Sequence, residues 1–332
     1  MASVLGLDIG GANLKAAHSR GGAVSVPFAL WRHPSHLTDA LKSLAASLPS
    51  FDVLAITMTG ELCDCWEDNV QGVRAILDSA KALASGRDVR VWTQEGRLVS
   101  LAEAERDPGK AASANWLALA TLAARQAHDR FALLIDVGST TTDLIPLVEG
   151  RPAPRGRTDP TRLASGELVY RGWKRTPLCA LTGPGRAAEL FATMHDVCLL
   201  RGLVAEDASD RDTADGRPAT IPDAHRRMAR MLCADLASSS GEDRLALAEE
   251  VFARFCSDIR EGITRALAPW NREPDTLLLA GSGEFLLPDI LRICGLDGPS
   301  RRRISLREKL GPDTSTAACA HAVAVLAAEG AS

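Results

Sequence analysis

The chain has 332 residues, enough for two medium domains with cores of their own. Apolar residues make up 46% and charged residues 24%, an ordinary globular balance, and a net charge of −4 removes any bulk electrostatic drive toward nucleic acid. No apolar stretch approaches the roughly 20 residues that span a bilayer, and the N-terminus enters a strand without a basic, apolar leader; the expectation is a cytoplasmic protein with neither membrane nor nucleic-acid partners.

In chain order, apolar runs at 4–9, 14–18 and 23–30 predict a strand meander. Leu37, Leu41, Leu44 and Leu48 recur at helical spacing within 36–48. A buried strand at 51–58 precedes a helix at 70–84, a strand at 89–92 and an Ala-rich helix at 111–128. A strand starting at 131 and its return at 144–148 open a second lobe. Residues 149–162 are rich in Arg, Pro and Gly, and 205–223 in Asp, Thr and Pro, so both read as loop excursions. Helices are expected at 226–237 and 244–268, a strand at 276–280, a helix at 284–293, a strand at 303–306 and a last helix at 314–328. Alternating strands and helices imply two α/β lobes, 1–128 and 129–332, with a cleft between them. The sequence leaves a homo-oligomer open.

Two short Gly/Thr-rich turns, each led by an aspartate, carry the strongest functional signal. The first runs Asp8-Ile9-Gly10-Gly11-Ala12-Asn13-Leu14-Lys15, the second Asp136-Val137-Gly138-Ser139-Thr140-Thr141-Thr142-Asp143. A strand, a glycine turn and a return strand bare backbone N–H groups, which with small hydroxyls form an anion-binding nest. An aspartate ending each first strand can hold a hydrated divalent cation over the anion. Gly10, Gly11, Asn13, Lys15, Gly138, Ser139, Thr140, Thr141 and Thr142 are therefore candidate phosphate contacts, and Asp8, Asp136 and Asp143 candidate magnesium ligands. One such turn is usually only a turn; a pair half a domain apart suggests related lobes facing one phosphate site.

Other segments read more evenly between chemistry and structure. Glu61 and Asp64 follow the strand at 51–58, where ligands of α/β sheets gather, so either can accept a proton or cap a turn. The segment 165–177 holds the only tyrosine, Tyr170, beside Trp173, Lys174 and Arg175. Its cations can clamp a phosphate and its rings can meet a planar substrate, or the aromatics can be core and the cations solvated. Asn115 can contact a ligand or make an early helix hydrogen bond. The eight cysteines read as reduced thiols, and neither Cys63-Asp64-Cys65 nor the scattered histidines have metal-site spacing.

The paired turns resemble the phosphate loops of the actin, sugar-kinase, acetate-kinase and heat-shock-chaperone superfamily. A strand at 276–280 and the turn Gly281-Ser282-Gly283-Glu284 match the superfamily's nucleoside-contacting turn, with Ser282 interrupting the glycines and Glu284 following them. The resemblance implies a two-lobed actin-like ATPase or sugar-kinase (ribonuclease H-like) fold, with Gly281, Gly283 and Glu284 as substrate contacts that join the candidates Asn115 and Tyr170. At family level, the run DIGGANLK, TMTGELCDCW, ASANW, DVGSTTTDLIPL, GELVYRGWKRTP, DTADGRP, RMARMLCAD and AGSGEFL is similar to the hydantoinase/oxoprolinase-related group of tetrahydromethanopterin-linked one-carbon transfer. That resemblance implies a transferase of methanofuran- or methylofuran-type cofactor biosynthesis. It would join an aminomethylfuran methyl diphosphate to a tyrosine- or tyramine-derived phenol and release diphosphate. Magnesium is the implied cofactor, and Lys15, Lys174 and Arg175 the implied cations. An ATP-dependent small-molecule kinase or oxoprolinase-like ATPase is the alternative, with ATP as its cofactor.

Overall fold

A computed structural model describes residues 2–128 and 130–330. The expected lobe junction at 128–129 and the last two positions of the second lobe, 331–332, touch on Asp129, Ala331 and Ser332, which lie outside the described residues.

The first sheet contains β1 (Val4–Ile9), β2 (Asn13–His18), β3 (Ala23–Pro27), β4 (Val53–Met58), β5 (Asp88–Trp92) and β6 (Leu98–Ser100). Its spatial order is β3-β2-β1-β4-β5-β6, with β1–β2 and β2–β3 antiparallel and β1–β4 and β4–β5 parallel. The second contains β7 (Phe131–Val137), β8 (Thr142–Val148), β9 (Arg151–Pro152), β10 (Leu168–Val169), β11 (Thr276–Ala280) and β12 (Arg302–Ser305). Here the order is β10-β8-β7-β11-β12, again with two antiparallel pairs on one side of the leading strand and two parallel pairs on the other. The two sheets are thus copies of one plan, and β1 and β7 hold the same place in each. This duplicated order and sense is the two-lobed actin-like ATPase and sugar-kinase fold.

Helices fill three layers around these sheets. Helices α1 (Leu37–Ala46) and α2 (Asn69–Ala84) cover the outer face of the first sheet, where Leu5, Leu7 and Ile9 meet Leu41, Val73 and Ile76. Helix α3 (Leu101–Arg106) packs at the β5–β6 edge. Between the sheets lie α4 (Asn115–Ala124) and the final helix α12 (Ala318–Gly330). Helix α5 (Asp159–Ser165) packs on β10. Helices α6 (Met194–Leu200), α7 (Ile221–Met231), α8 (Gly241–Leu267) and α9 (Leu287–Cys294) bury the outer face of the second sheet, where Leu133, Ile135 and Val137 meet Val251, Phe255 and Ile259. Short α10 (Leu306–Leu310) and α11 (Pro312–Thr316) lead into α12.

The middle layer crosses over in sequence. Helix α12 lies on β1, β2 and β4 of the first sheet, whereas α4, which precedes β7, lies on β7, β8 and β9 of the second. Both helices are Ala-rich and buried nearly all round, as a layer enclosed by two sheets requires. The approach is closest at Gly6, where an added Cβ would stand 2.1 Å from the Ala320 carbonyl oxygen.

Several boundaries differ from the sequence-based expectation. The helix expected at 111–128 is a 3₁₀ turn at Pro108–Ala111 followed by α4, broken where Ser113 takes φ 46°. The helix expected at 314–328 is the end of α11 followed by α12, with the break between them at Ala317. Helix α7 starts at Ile221, with Pro222 in its first turn, so it takes in the end of the expected 205–223 loop.

Candidate active site

Strand alternation aims the two aspartates. In β1, Leu5, Leu7 and Ile9 face outward to α1 and α2, so Val4, Gly6 and Asp8 face the middle layer. In β7, Leu133, Ile135 and Val137 face outward, leaving Ala132, Leu134 and Asp136 on the inner side. Asp8 and Asp136 therefore look at one another across a cleft of about 360 Å³ that both line. The turns after them close alike: Gly10 N–H donates to the Asn13 carbonyl at 3.1 Å, and Gly138 N–H to the Thr141 carbonyl at 2.8 Å. Gly10, Gly11, Asn13, Lys15, Gly138, Ser139, Thr140 and Thr141 all line the cleft. Gly281 joins them at φ 95°, where a Cβ would stand 2.3 Å from an Asp136 carboxylate oxygen, so only glycine fits.

Charge is unbalanced at the cleft floor. Burial raises the Asp8 pKa, against the pull of Lys15, whose Nζ stands 4.0 Å from Asp8 Oδ2, and of Asn115, whose Nδ2 donates to Asp8 Oδ1 at 3.4 Å. Asp136 is pushed up to about 7 by burial and then by Asp143, its directly opposite neighbour on β8. Burial works against the Lys15 charge, but Asp8, Cys319 and Asp136 overcome it and raise its pKa. Two carboxylates share one lysine, so the floor has room for added positive charge.

Several expected contacts lie elsewhere. Asp64 is exposed and does not line the cleft. Glu61 is buried behind the cleft wall, accepting from Ser113 Oγ at 2.7 Å, and its other oxygen has no partner. Neither meets the cleft space, so neither is placed to take a substrate proton. Thr142 is buried and its hydroxyl donates to the Arg171 carbonyl at 2.6 Å. The Asp143 carboxylate is taken by Arg162, so the facing pair left for a cation is Asp8 and Asp136. Lys174 turns to Asp210 at 2.8 Å and Asp212 at 3.4 Å, away from the cleft lining. Gly283 packs on the Val137 and Trp173 side chains, and Glu284 accepts from Ser305 Oγ and, at 3.2 Å, from Arg307 N–H. Trp173 is also structural, edge-on to His195 and Phe285.

Arg175 does reach the cleft. Its backbone N–H donates to the Ser139 carbonyl at 2.9 Å, and its guanidinium lies 5.2 Å from the Trp31 ring centre, across from the first lobe. Tyr170 lines the same mouth with 59% of its surface exposed, and Asn115 and Trp116 line it from the start of α4. The cleft thus has two glycine turns at its floor and aromatic side chains in its wall.

Among the lining residues that sequence reasoning missed are Trp31, Asp159 and Arg162. Arg162 is 2% exposed, yet it pairs with Asp143, stands 3.6 Å from Asp159 and lies 4.0 Å from the Trp116 ring centre. Both Asp159 and Arg162 fall in the stretch read as a loop. A start signal was present in Thr158-Asp159-Pro160, a capping threonine followed by proline in the first turn.

The hydantoinase/oxoprolinase family model matches residues 52–300. The (4-{4-[2-(gamma-L-glutamylamino)ethyl]phenoxymethyl}furan-2-yl)methanamine synthase of Methanocaldococcus jannaschii is 30% identical over 97% of both chains. The Methanococcus vannielii protein of the same name is 31% identical over 60% of this chain and 91% of its own. Among solved structures, an archaeal actin homologue in complex with ADP covers both chains fully at 14% identity and a TM-score of 0.48. With the family model spanning most of its length and a relative aligned nearly end to end, the chain belongs to the hydantoinase/oxoprolinase family.

Proposed function

We propose that the protein is a transferase of methanofuran-type cofactor biosynthesis. It joins an aminomethylfuran methyl diphosphate to the phenol of a tyrosine- or tyramine-derived acceptor and releases diphosphate. The observation that carries this reading is one cleft with two chemistries: paired glycine turns on its floor and Trp31 and Tyr170 in its wall. The names of the two archaeal relatives support it, since a phenoxymethylfuran contains an aryl ether between a phenol oxygen and a furan methylene.

The residues suit each part of that reaction. Backbone N–H groups of the two turns would hold the diphosphate as an anion nest. Lys15 and Arg175 would add charge to the leaving oxygens as the carbon–oxygen bond breaks. Hard oxygen donors at Asp8 and Asp136, with their repulsion only partly relieved by Lys15, fit a hydrated magnesium ion. Among the described residues no three acidic, His or Cys side chains are grouped for direct ligation, so most of its shell would be water and diphosphate. When bound, the ion would neutralise charge building on the leaving group. The acceptor and furan rings would lie against the aromatic wall, which removes water from the reacting carbon.

The test is a nucleotide-free incubation of the full chain with magnesium, the furan methyl diphosphate and a panel of tyrosine-derived phenols. One ether and one diphosphate per turnover are expected by mass spectrometry and a pyrophosphate assay. Absence of ether with every phenol, or turnover only with ATP, moves the assignment to an ATP-dependent kinase or oxoprolinase-like ATPase. Gly281 and Ser282 in the cleft lining give that second reading its footing.

A further inference from the structure

A phenol with an unperturbed pKa near ~10 is a weak nucleophile at neutral pH, so attack needs a group that removes its proton. Neither Glu61 nor Asp64 opens into the cleft. The carboxylates that do line it are Asp8, Asp136, Asp143 and Asp159. Asp8 and Asp136 face each other over the anion floor, and Asp143 is tied to Arg162. Asp159 alone stands on the aromatic side, in the wall that also carries Ser113, Trp116 and Tyr170.

We propose that Asp159 is the catalytic base for the acceptor phenol, an assignment that rests on the transferase reading above. Its side chain is 29% exposed, open enough to meet a substrate and covered enough to exclude bulk water. Arg162 Nη1 approaches Asp159 Oδ1 at 3.6 Å, which is an ion pair but longer than a hydrogen bond. The Ser113 hydroxyl also hydrogen-bonds this carboxylate, which keeps its remaining lone pairs for an incoming O–H. Arg162 in turn is fixed by Asp143 and by the Trp116 face, so the base is positioned from the second turn itself. Burial raises the Asp159 pKa, with Arg162 opposing and Asp143 adding to it, which strengthens it as a base. Asp159 also raises the pKa of the Tyr170 phenol, after burial, so its field already acts on a phenol at the cleft mouth.

The step balances. The phenol O–H proton passes to Asp159, the phenol oxygen forms a bond to the furan methylene, and the bond from that carbon to the diphosphate oxygen breaks. The electron pair leaves with diphosphate, and Asp159 returns its proton to water. The charged or titratable groups facing Asp159 are Arg162 on its own helix, Asp143 on β8, Glu61 behind Ser113, and Tyr170. Helix α8 packs on α5 at its other end, where Arg265 meets Gly166.

The experiment compares wild-type protein with Asp159→Asn and Asp159→Glu, using tyramine and its mono-, di- and tetrafluorinated forms, whose phenols ionise at progressively lower pH. At pH 7, Asp159→Asn is expected to lose about 100- to 10,000-fold in kcat/KM with tyramine. That deficit is expected to shrink at least tenfold with the most acidic phenol, while KM for the furan diphosphate stays unchanged. Asp159→Glu is expected to keep part of the activity, and equal melting curves establish that both variants fold. A loss of the same size for every phenol, or no loss, overturns the assignment of Asp159 while wild-type ether formation keeps the transferase reading. Wild-type protein that forms no ether overturns both.

Discussion

His195 sits under the edge of Trp173 at 5.3 Å between ring centres, 5% exposed, and its Nδ1 has no partner. Burial, followed by the nearby Lys174 charge, pushes its pKa down to about 4. The folded state therefore refuses a proton that the unfolded chain accepts near 6.5. The resulting stabilisation is complete above pH 6.5 and is lost as pH falls toward 4, by at most about 3 kcal/mol. We expect the melting temperature to fall between pH 7 and pH 4.5, and His195→Asn to flatten that decline even if it melts lower at pH 7. An unchanged acid slope in the variant would remove His195 as its source. Such burial is invisible in sequence, where the histidines look scattered. The same holds for Arg162, an arginine inside a run of Arg, Pro and Gly that composition marks as solvated. The placement of Asp8 and Asp136 at the cleft was legible because the signal is local and repeated: each aspartate ends a strand before a glycine turn.

At the level of elements, the crossing of β1 and α12 depends on a missing side chain. A Cβ on Gly6 would come within 2.1 Å of the Ala320 carbonyl oxygen and 2.9 Å of the Ala324 Cβ. Gly6→Ala must push the middle helix off the sheet, and we expect a destabilisation of about 1–3 kcal/mol in urea unfolding. Wild-type stability in that variant would mean that α12 shifts without loss. Most strands of both lobes were readable from apolar runs bounded by turns, whereas β6, β9 and β10 span only two or three residues and were not. Helices α3, α5 and α6 were not, since they span only six or seven residues and give too few turns for a period to emerge. The break before α4 was hidden as well, because the left-handed backbone at Ser113 interrupts an Ala-rich run whose composition stays helical.

Across the whole molecule, the duplicated sheets bring two glycine turns into one cleft, so a ligand that bridges them ties the lobes together. We expect magnesium with diphosphate to raise the melting temperature, as any ligand selective for the folded state must. Asp8→Asn and Asp136→Asn are each expected to abolish the magnesium-dependent part of that shift. A shift with ATP but none with diphosphate would support the kinase or ATPase reading. The symmetry of the fold was visible in the repeated turns, but the contents of the cleft wall were not. Trp31 is far in sequence from Asp159 and Arg162, and only the fold brings it to the cleft they line.

The exchange of middle helices also sets an order of events during synthesis. Strands β1 and β4 leave the ribosome early, yet the helix that covers their inner face, α12, is made after every other described element. Until then Val4, Val53 and Ala55 lack part of their core. The first lobe is thus completed last, and the cleft, with Asp8 at its floor, takes shape only when the late helix docks beneath the earliest strand.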